Sequence, residues 1–434
     1  MLVFPGGASN LAYADFDDDE PLIIDATPLP TRSPQGMVTL TARAIHTLAV
    51  DLTPAASSTQ LEWVQRLEAG LTIEPDPRWT LVLSGRMSHV ARLAAHGAAA
   101  GHALVEPEVV EVYAAWRPGA GFRLSLGHQR LRWGLTTLIR PVDVLGPREL
   151  RFGPYHPNPP GRLAIPSFRV EKALGNWSLE VVYAPFFTPH RIDRRGSDWA
   201  VDGHTGASGR TPERWRASKL PRDNGLDGGS LGARVVAQLG PVDLEAAWLT
   251  DLDRVPRSDA AGETGHHRRH RVGGALSLVV APVVVAMEVA WTSEQTVYDL
   301  RRQPLVGEMI EGALELQTQP WPWLDWVLAV GRRAILDGPD GTLLVDTDAF
   351  VTTAVETYLQ SRLRVLLAYQ ERFRLDVAGR VSLARDDTRL GIGGTWRPSG
   401  VFELTLGVVV FTGADLPALY AAGDYAYLRT TISL

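Results

Sequence analysis

The residues best equipped for chemistry lie between 126 and 164. Arg130, Arg132, Arg140, Arg148, Arg151 and Arg162 outnumber Asp143 and Glu149 there, and Pro141, Pro147, Pro154, Pro157, Pro159 and Pro160 punctuate the same stretch, with Pro166 just beyond it. A guanidinium is permanently charged and meets carboxylates or phosphates through a planar fork, while proline fixes φ, so the segment carrying these cations is stiff. Two roles fit. The arginines draw an anion into a narrow zone, or they pair with carboxylates elsewhere in the chain and hold the segment in place.

Covalent and metal chemistry have weaker support. Cysteine is absent, which removes thiolate catalysis, disulfides and cysteine-ligated metals, and suits an envelope protein. The cluster His266-His267-x-x-His270 sits among Arg268, Arg269 and Arg271, whose charge opposes a metal ion and lowers imidazole basicity. Asp337-Gly338-Pro339-Asp340-Gly341 and the acidic run Asp15, Asp17, Asp18, Asp19, Glu20 lack the ligand spacing of a calcium loop. No GxSxG, HExxH, Walker or GxGxxG arrangement occurs in a supporting context. The expectation is a non-enzyme with no metal and no cofactor.

Composition narrows the class. The chain has 434 residues, 45% hydrophobic and 21% charged, with a formal charge of −6. Lys172 and Lys219 are its only lysines, and no basic stripe suggests nucleic acid. The most apolar windows, such as 279–289, are broken by Pro282 and Glu288 and are too short for a transmembrane helix. Residues 1–36 read as a tail: Ala12-Tyr13-Ala14 before Asp15 resembles a cleavage site without the usual basic and apolar regions, which suggests a truncated signal remnant. An ordinary disordered tail fits equally.

From Met37 onward the chain alternates with a period of two. Trp79, Leu81, Leu83 and Met87 oppose Thr80, Val82, Ser84 and Arg86; Val110, Val112, Ala114 and Trp116 oppose Glu111, Tyr113, Ala115 and Arg117. Connections are alternately tight (74–78, 117–121, 174–176, 239–241, 281–282, 319–321, 397–400) and long (92–107, 134–164, 188–228, 253–267, 297–305, 337–349, 413–423). That alternation is expected of an antiparallel up-and-down transmembrane β-barrel, with short periplasmic turns and long extracellular loops. Trp79, Trp116, Trp177, Trp321, Trp323 and Trp396 fall at the tight turns, where an interfacial aromatic girdle belongs.

The predicted strands are 37–52, 59–73, 78–91, 108–117, 121–133, 165–173, 176–187, 229–239 and 241–252, then 268–280, 282–296, 306–318, 321–336, 350–370, 373–385, 388–397, 400–412 and 424–434. That makes eighteen, with sixteen as the alternative where 350–385 is ambiguous, and an even count places both termini in the periplasm. Parity turns Arg86, Glu111, Arg123, Arg234, Glu288 and Asp325 inward, together with Arg333, Arg374, Asp376, Arg380, Glu403 and Arg429. A wall of both signs hydrates a pore without strong selectivity, or holds a plugged barrel together.

One segment carries a family resemblance. Gly127-His128-Gln129-Arg130-Leu131-Arg132-Trp133-Gly134, followed by Pro141-Val142-Asp143-Val144-Leu145-Gly146-Pro147-Arg148-Glu149, resembles a G-x-Q-x-x-x-W-G … P-x-D-x-x-x-P-R-x motif of porin-like bacterial outer-membrane barrels. The likeness spans about 120–190 and includes Tyr183 to Pro189. The last strand, 424–434, resembles the signal read by the outer-membrane assembly machinery, but ends in Leu434 where such barrels usually end in Phe. The resemblance implies one outer-membrane barrel over 37–434 that passes small polar or anionic solutes, with loop 134–164 folded inward as a constriction. Its expected partners are membrane lipids, lipopolysaccharide and periplasmic proteins at the short-turn rim. The competing expectations are a partner-gated polysaccharide exporter and a closed structural or adhesive barrel whose loop 188–228 binds a partner.

Overall fold

A computed structural model describes residues 36–52, 59–94, 102–150, 161–192, 228–254, 257–258, 264–298, 304–337, 343–344, 352–353, 355–367, 372–384, 387–413 and 424–434. The tail 1–35, Arg151 and the greater part of the long loops, including residues 193–227 of the loop 188–228, lie outside the described residues.

The wall is a closed antiparallel barrel of 18 strands. Its first half comprises β1 (Met37–Asp51), β2 (Thr59–Asp76), β3 (Trp79–Ala94), β4 (His102–Gly119), β5 (Phe122–Gln129), β6 (Ile165–Leu174), β7 (Trp177–Ala184), β8 (Ser230–Leu239) and β9 (Val242–Leu252). The second half comprises β10 (Arg268–Val280), β11 (Val283–Tyr298), β12 (Pro304–Trp321), β13 (Leu324–Ile335), β14 (Val355–Leu366), β15 (Phe373–Ser382), β16 (Asp387–Trp396), β17 (Phe402–Gly413) and β18 (Tyr425–Ser433). Each strand pairs with its sequence neighbours, and β1 closes the ring on β18 from Arg43↔Ser433 to Asp51↔Tyr425. Closure leaves no sheet edge unpaired, the requirement for backbone in hydrocarbon.

The alternation in sequence becomes an inside-out protein. Leu83, Leu126, Leu314 and Leu406 stand exposed on the outer face, while Glu288, Glu315 and Glu356 are buried on the inner one. The ambiguous stretch 350–385 resolves into β14 and β15, which decides for eighteen over sixteen. Two expectations are corrected. A bulge pairs Ser84 with Glu111 but Gly85 with Val109, so Val110 drops out of the apolar face and both Glu108 and Glu111 turn inward. The strand expected over 121–133 ends at Gln129, because the chain leaves the wall there for the lumen.

At the short-turn rim the six tryptophans are all exposed. Trp79 stacks on Trp116 with centroids 5.9 Å apart, Trp321 on Trp323 at 5.2 Å, and Trp396 on Phe373 at 6.4 Å. The main apolar cluster lies inside the ring, where Leu131, Trp133, Val142 and Leu145 of the β5–β6 connection pack on Val182, Ala247 and Leu249 of the wall.

Candidate functional site

The site is the segment 130–150 and 161–164, folded against the inner wall. Its departure is prepared at Gly127, whose φ of +139° belongs to glycine and whose missing Cβ would lie 2.2 Å from the Val112 carbonyl. The Gln129 amide then donates to the Ser167 carbonyl at 3.1 Å, and the Arg130 N–H donates to Glu111 at 3.0 Å. Beyond this point the backbone has no neighbouring strand, yet it is buried, so each N–H and C=O requires another partner.

Wall carboxylates accept the amides. Glu245 on β9 accepts from Gly134 N–H at 3.1 Å. Glu288 on β11 accepts from Leu135 at 2.6 Å, Thr136 at 2.8 Å and Val142 at 3.0 Å. Glu315 on β12 accepts from Thr137 N–H at 3.0 Å, its hydroxyl at 2.9 Å and Leu138 N–H at 2.8 Å. Guanidiniums donate to the carbonyls: Arg162 to Leu131 at 2.7 Å, Arg254 to Leu145 at 2.9 Å, and Arg271 to Pro141. Asp143 caps Trp133 N–H at 3.0 Å and pairs with the Arg162 guanidinium in a buried site. The segment is thus held by a ladder of opposite charges.

Side chains add shape. Trp133 fits a notch left by Gly232, where a Cβ would lie 2.6 Å from its ring, and its indole N–H donates to Glu180 at 3.1 Å. Val142 fits a second notch at Gly273, where a Cβ would lie 2.9 Å from its Cγ2, and Ile139 packs on Tyr358 of β14. The segment therefore reaches from β5 to β14 across the lumen wall.

Register turns Arg86, Glu111, Arg123, Arg234, Glu288 and Asp325, as well as Arg333, Arg374, Asp376, Arg380, Glu403 and Arg429, to the inner face. Most join ion pairs. Arg86 meets Glu108 at 2.5 Å, Arg123 meets Glu171 at 3.6 Å, and Arg234 meets Glu180 at 2.7 Å. Arg333 meets Glu311 at 2.5 Å, Arg374 meets Asp376 at 2.6 Å, Arg380 meets Glu356 at 3.4 Å and Arg429 meets Glu403 at 3.4 Å. Arg380 also lies 3.7 Å from the Tyr358 ring centroid, a cation–π contact. Asp325 stands opposite Arg364 in the β13–β14 ladder.

Of the loop residues, Arg130 lies 3.6 Å from Glu111, Glu149 lies 3.6 Å from Arg191, and the backbone at Arg148 pairs antiparallel with that at Arg162. Arg130, Arg132, Arg140 and Arg148 are each partly buried. The segment is also held by groups outside it: the wall glutamates take loop amides, and the guanidiniums of Arg254 and Arg271 donate to loop carbonyls. Glu180, Arg254, Arg271, Glu311 and Glu315 escaped the sequence reading. Parity within 306–318 carries the signal for Glu311 and Glu315, and Arg271, within the strand expected over 268–280, faces inward from β10. Burial brings the Arg254 guanidinium down to about 10, still charged at neutral pH. The three histidines do not converge: His266 meets the Asp253 carbonyl, His267 the Glu294 carbonyl, and His270 is exposed.

No family model and no curated protein matches the sequence. Among solved structures the chain is similar to OpdK of Pseudomonas aeruginosa, determined with vanillate, with a TM-score of 0.52 and 10% identity over 92% of this chain and 98% of that one. It is similar to OccK8 (OprE) of the same organism with a TM-score of 0.50 and 11% identity over 92% of this chain and 97% of that one. A looser likeness, with a TM-score of 0.47 and 10% identity, reaches Salmonella typhi OmpF in complex with daunomycin, over 92% of this chain and 97% of that one. At these identities the likeness is one of fold. The chain has the architecture of a porin-type barrel, and a closed ring with an apolar outer belt is a structure for an outer membrane.

Proposed function

We propose that the protein is an outer-membrane channel for passive diffusion of small polar or anionic solutes, with the β5–β6 segment as its constriction. The observation that carries this reading is the segment's attachment: a charged inner wall holds a stiff, arginine-bearing stretch along its lumen face from β9 to β14. A segment fixed at several points along the inner wall narrows a lumen without depending on its own secondary structure. The exposed tryptophans of the short-turn rim serve as the interfacial girdle on this reading.

The test is planar-bilayer recording of refolded protein in KCl under a salt gradient. Steps of stable size with a reversal potential of anionic sign are expected. A second reading draws on the many wall charges already paired with one another, which suits a closed barrel with a structural or partner-gated role. A folded, heat-modifiable barrel that passes no current would move the assignment there.

A further inference from the structure

The returning limb of the lumen segment is fastened by something other than the glutamate ladder. Residues Glu149–Leu150 form a parallel bridge with Arg191–Ile192, and Arg191 N–H donates to the Arg148 carbonyl at 3.0 Å. The Arg148 N–H, facing the other way, donates to Nδ1 of His190 at 2.9 Å. Arg254, 2% exposed, clasps both partners of this joint, donating to the Thr188 carbonyl at 2.5 Å and to the Leu145 carbonyl at 2.9 Å. Two connections distant in sequence thus meet at one imidazole.

We propose that His190 is a positioning residue for the constriction, and that its protonation unfastens the returning limb of the segment from the mouth of the barrel. An imidazole accepts a hydrogen bond only at an unprotonated nitrogen. Protonation at Nδ1 would turn that acceptor into a second donor aimed at the Arg148 N–H. Arg148, Arg254, Arg269 and His266 around the ring would resist the added charge. From the lumen segment come Arg148 and Glu149, from the end of β9 and beyond Asp251, Asp253 and Arg254, and from β10 and its approach Arg269 and His266. Asp251 and Asp253 are already engaged by Arg269 at 2.9 Å and 3.5 Å, Glu149 by Arg191 at 3.6 Å, and Arg191 also by Glu108 of β4 at 3.0 Å. The carboxylates nearby are therefore spoken for.

Burial, with Arg254, Arg269, Arg148 and His266 adding to it, holds the His190 imidazole well below its ordinary value of 6.5. The sign follows. A group with a depressed imidazole value binds its proton more readily when the joint is open, so the joint is intact above pH 6.5 and weakens as the pH falls below it. The neutral tautomer is the working form at neutral pH.

The inference rests on the proposed constriction only for its effect on current, so the joint is read separately. Hydrogen exchange at the Arg148 amide is measured on folded protein in lipid nanodiscs from pH 7 to about 4, normalised to intrinsic exchange. The expected result is a loss of about tenfold in protection in acid, the scale of one ordinary hydrogen bond. His190→Asn, whose Oδ1 can replace Nδ1 without titrating, should keep protection flat across the range, whereas His190→Ala should be unprotected at every pH. Persistence of the acid step in His190→Asn, or absence of any step in the unmodified chain, would overturn the proposal. Bilayer recordings of the same proteins should show an acid change in conductance that His190→Asn lacks. An acid step at the amide in a barrel that never conducts would sink the channel reading and leave the joint standing.

Discussion

Glu288 shows how one carboxylate shapes the lumen. Its two oxygens take three amides from Leu135, Thr136 and Val142, and it is 1% exposed. Gly134, with φ of +91°, passes so close that a Cβ would lie 2.5 Å from Glu288 Oε1. Glu288→Gln keeps the volume but turns an NH2 toward at least one N–H, so the substitution should cost about 1–3 kcal/mol for the orphaned group. The loss should appear as larger and noisier single-channel steps with the barrel's own melting little changed, since strand pairing is untouched. Unchanged currents would remove the ladder from the mechanism. At the Trp133 notch, Gly232→Ala puts a methyl 2.6 Å from the ring. Overpacking of this kind costs about 1–3 kcal/mol, and faster exchange of the Trp133 indole proton, now donated to Glu180 at 3.1 Å, would report it.

Strands were legible because each has a period of its own, and the lumen segment was not because it has none. In β3, Leu83 is exposed on the outer face while Ser84 faces Glu111 across the ladder, so neighbouring residues inhabit different solvents. Leu83→Arg should therefore cost about 2–4 kcal/mol near the bilayer midplane, and Ser84→Arg well under half of that, because its charge meets Glu111. Denaturant titration of both variants in lipid vesicles measures the contrast, and equal costs would contradict the assigned faces. The same alternation exposed the wall glutamates in principle, but nothing local announced their partners. Gly134, Leu135 and Thr137 donate to carboxylates 111, 153 and 178 positions away. Prolines and arginines marked the segment as unusual; its path depends on the closed ring. The Val110 bulge was likewise invisible, since an extra residue leaves a pattern of two intact on either side.

Selectivity belongs to the whole ring. Glu288 and Glu315 are covered by the segment they hold, 1% and 0% exposed, whereas Arg130, Arg132, Arg140 and Arg148 remain partly exposed. If the segment is the proposed constriction, a solute passing it would meet these cations more readily than the covered carboxylates. Covering a charge with amides does not neutralise it, but moving it behind a layer of backbone weakens its hold on a permeant relative to a cation at the surface. The expected outcome is anion preference at low ionic strength that fades with added salt, as the screening length falls from about 10 Å at 0.1 M to about 3 Å at 1 M. Arg148→Glu combined with Arg151→Glu should shift the reversal potential toward cations, with the larger effect in dilute KCl. Reversal potentials that ignore both the substitutions and the salt would mean that the permeant does not pass this face, and that the charged segment serves the barrel's packing alone.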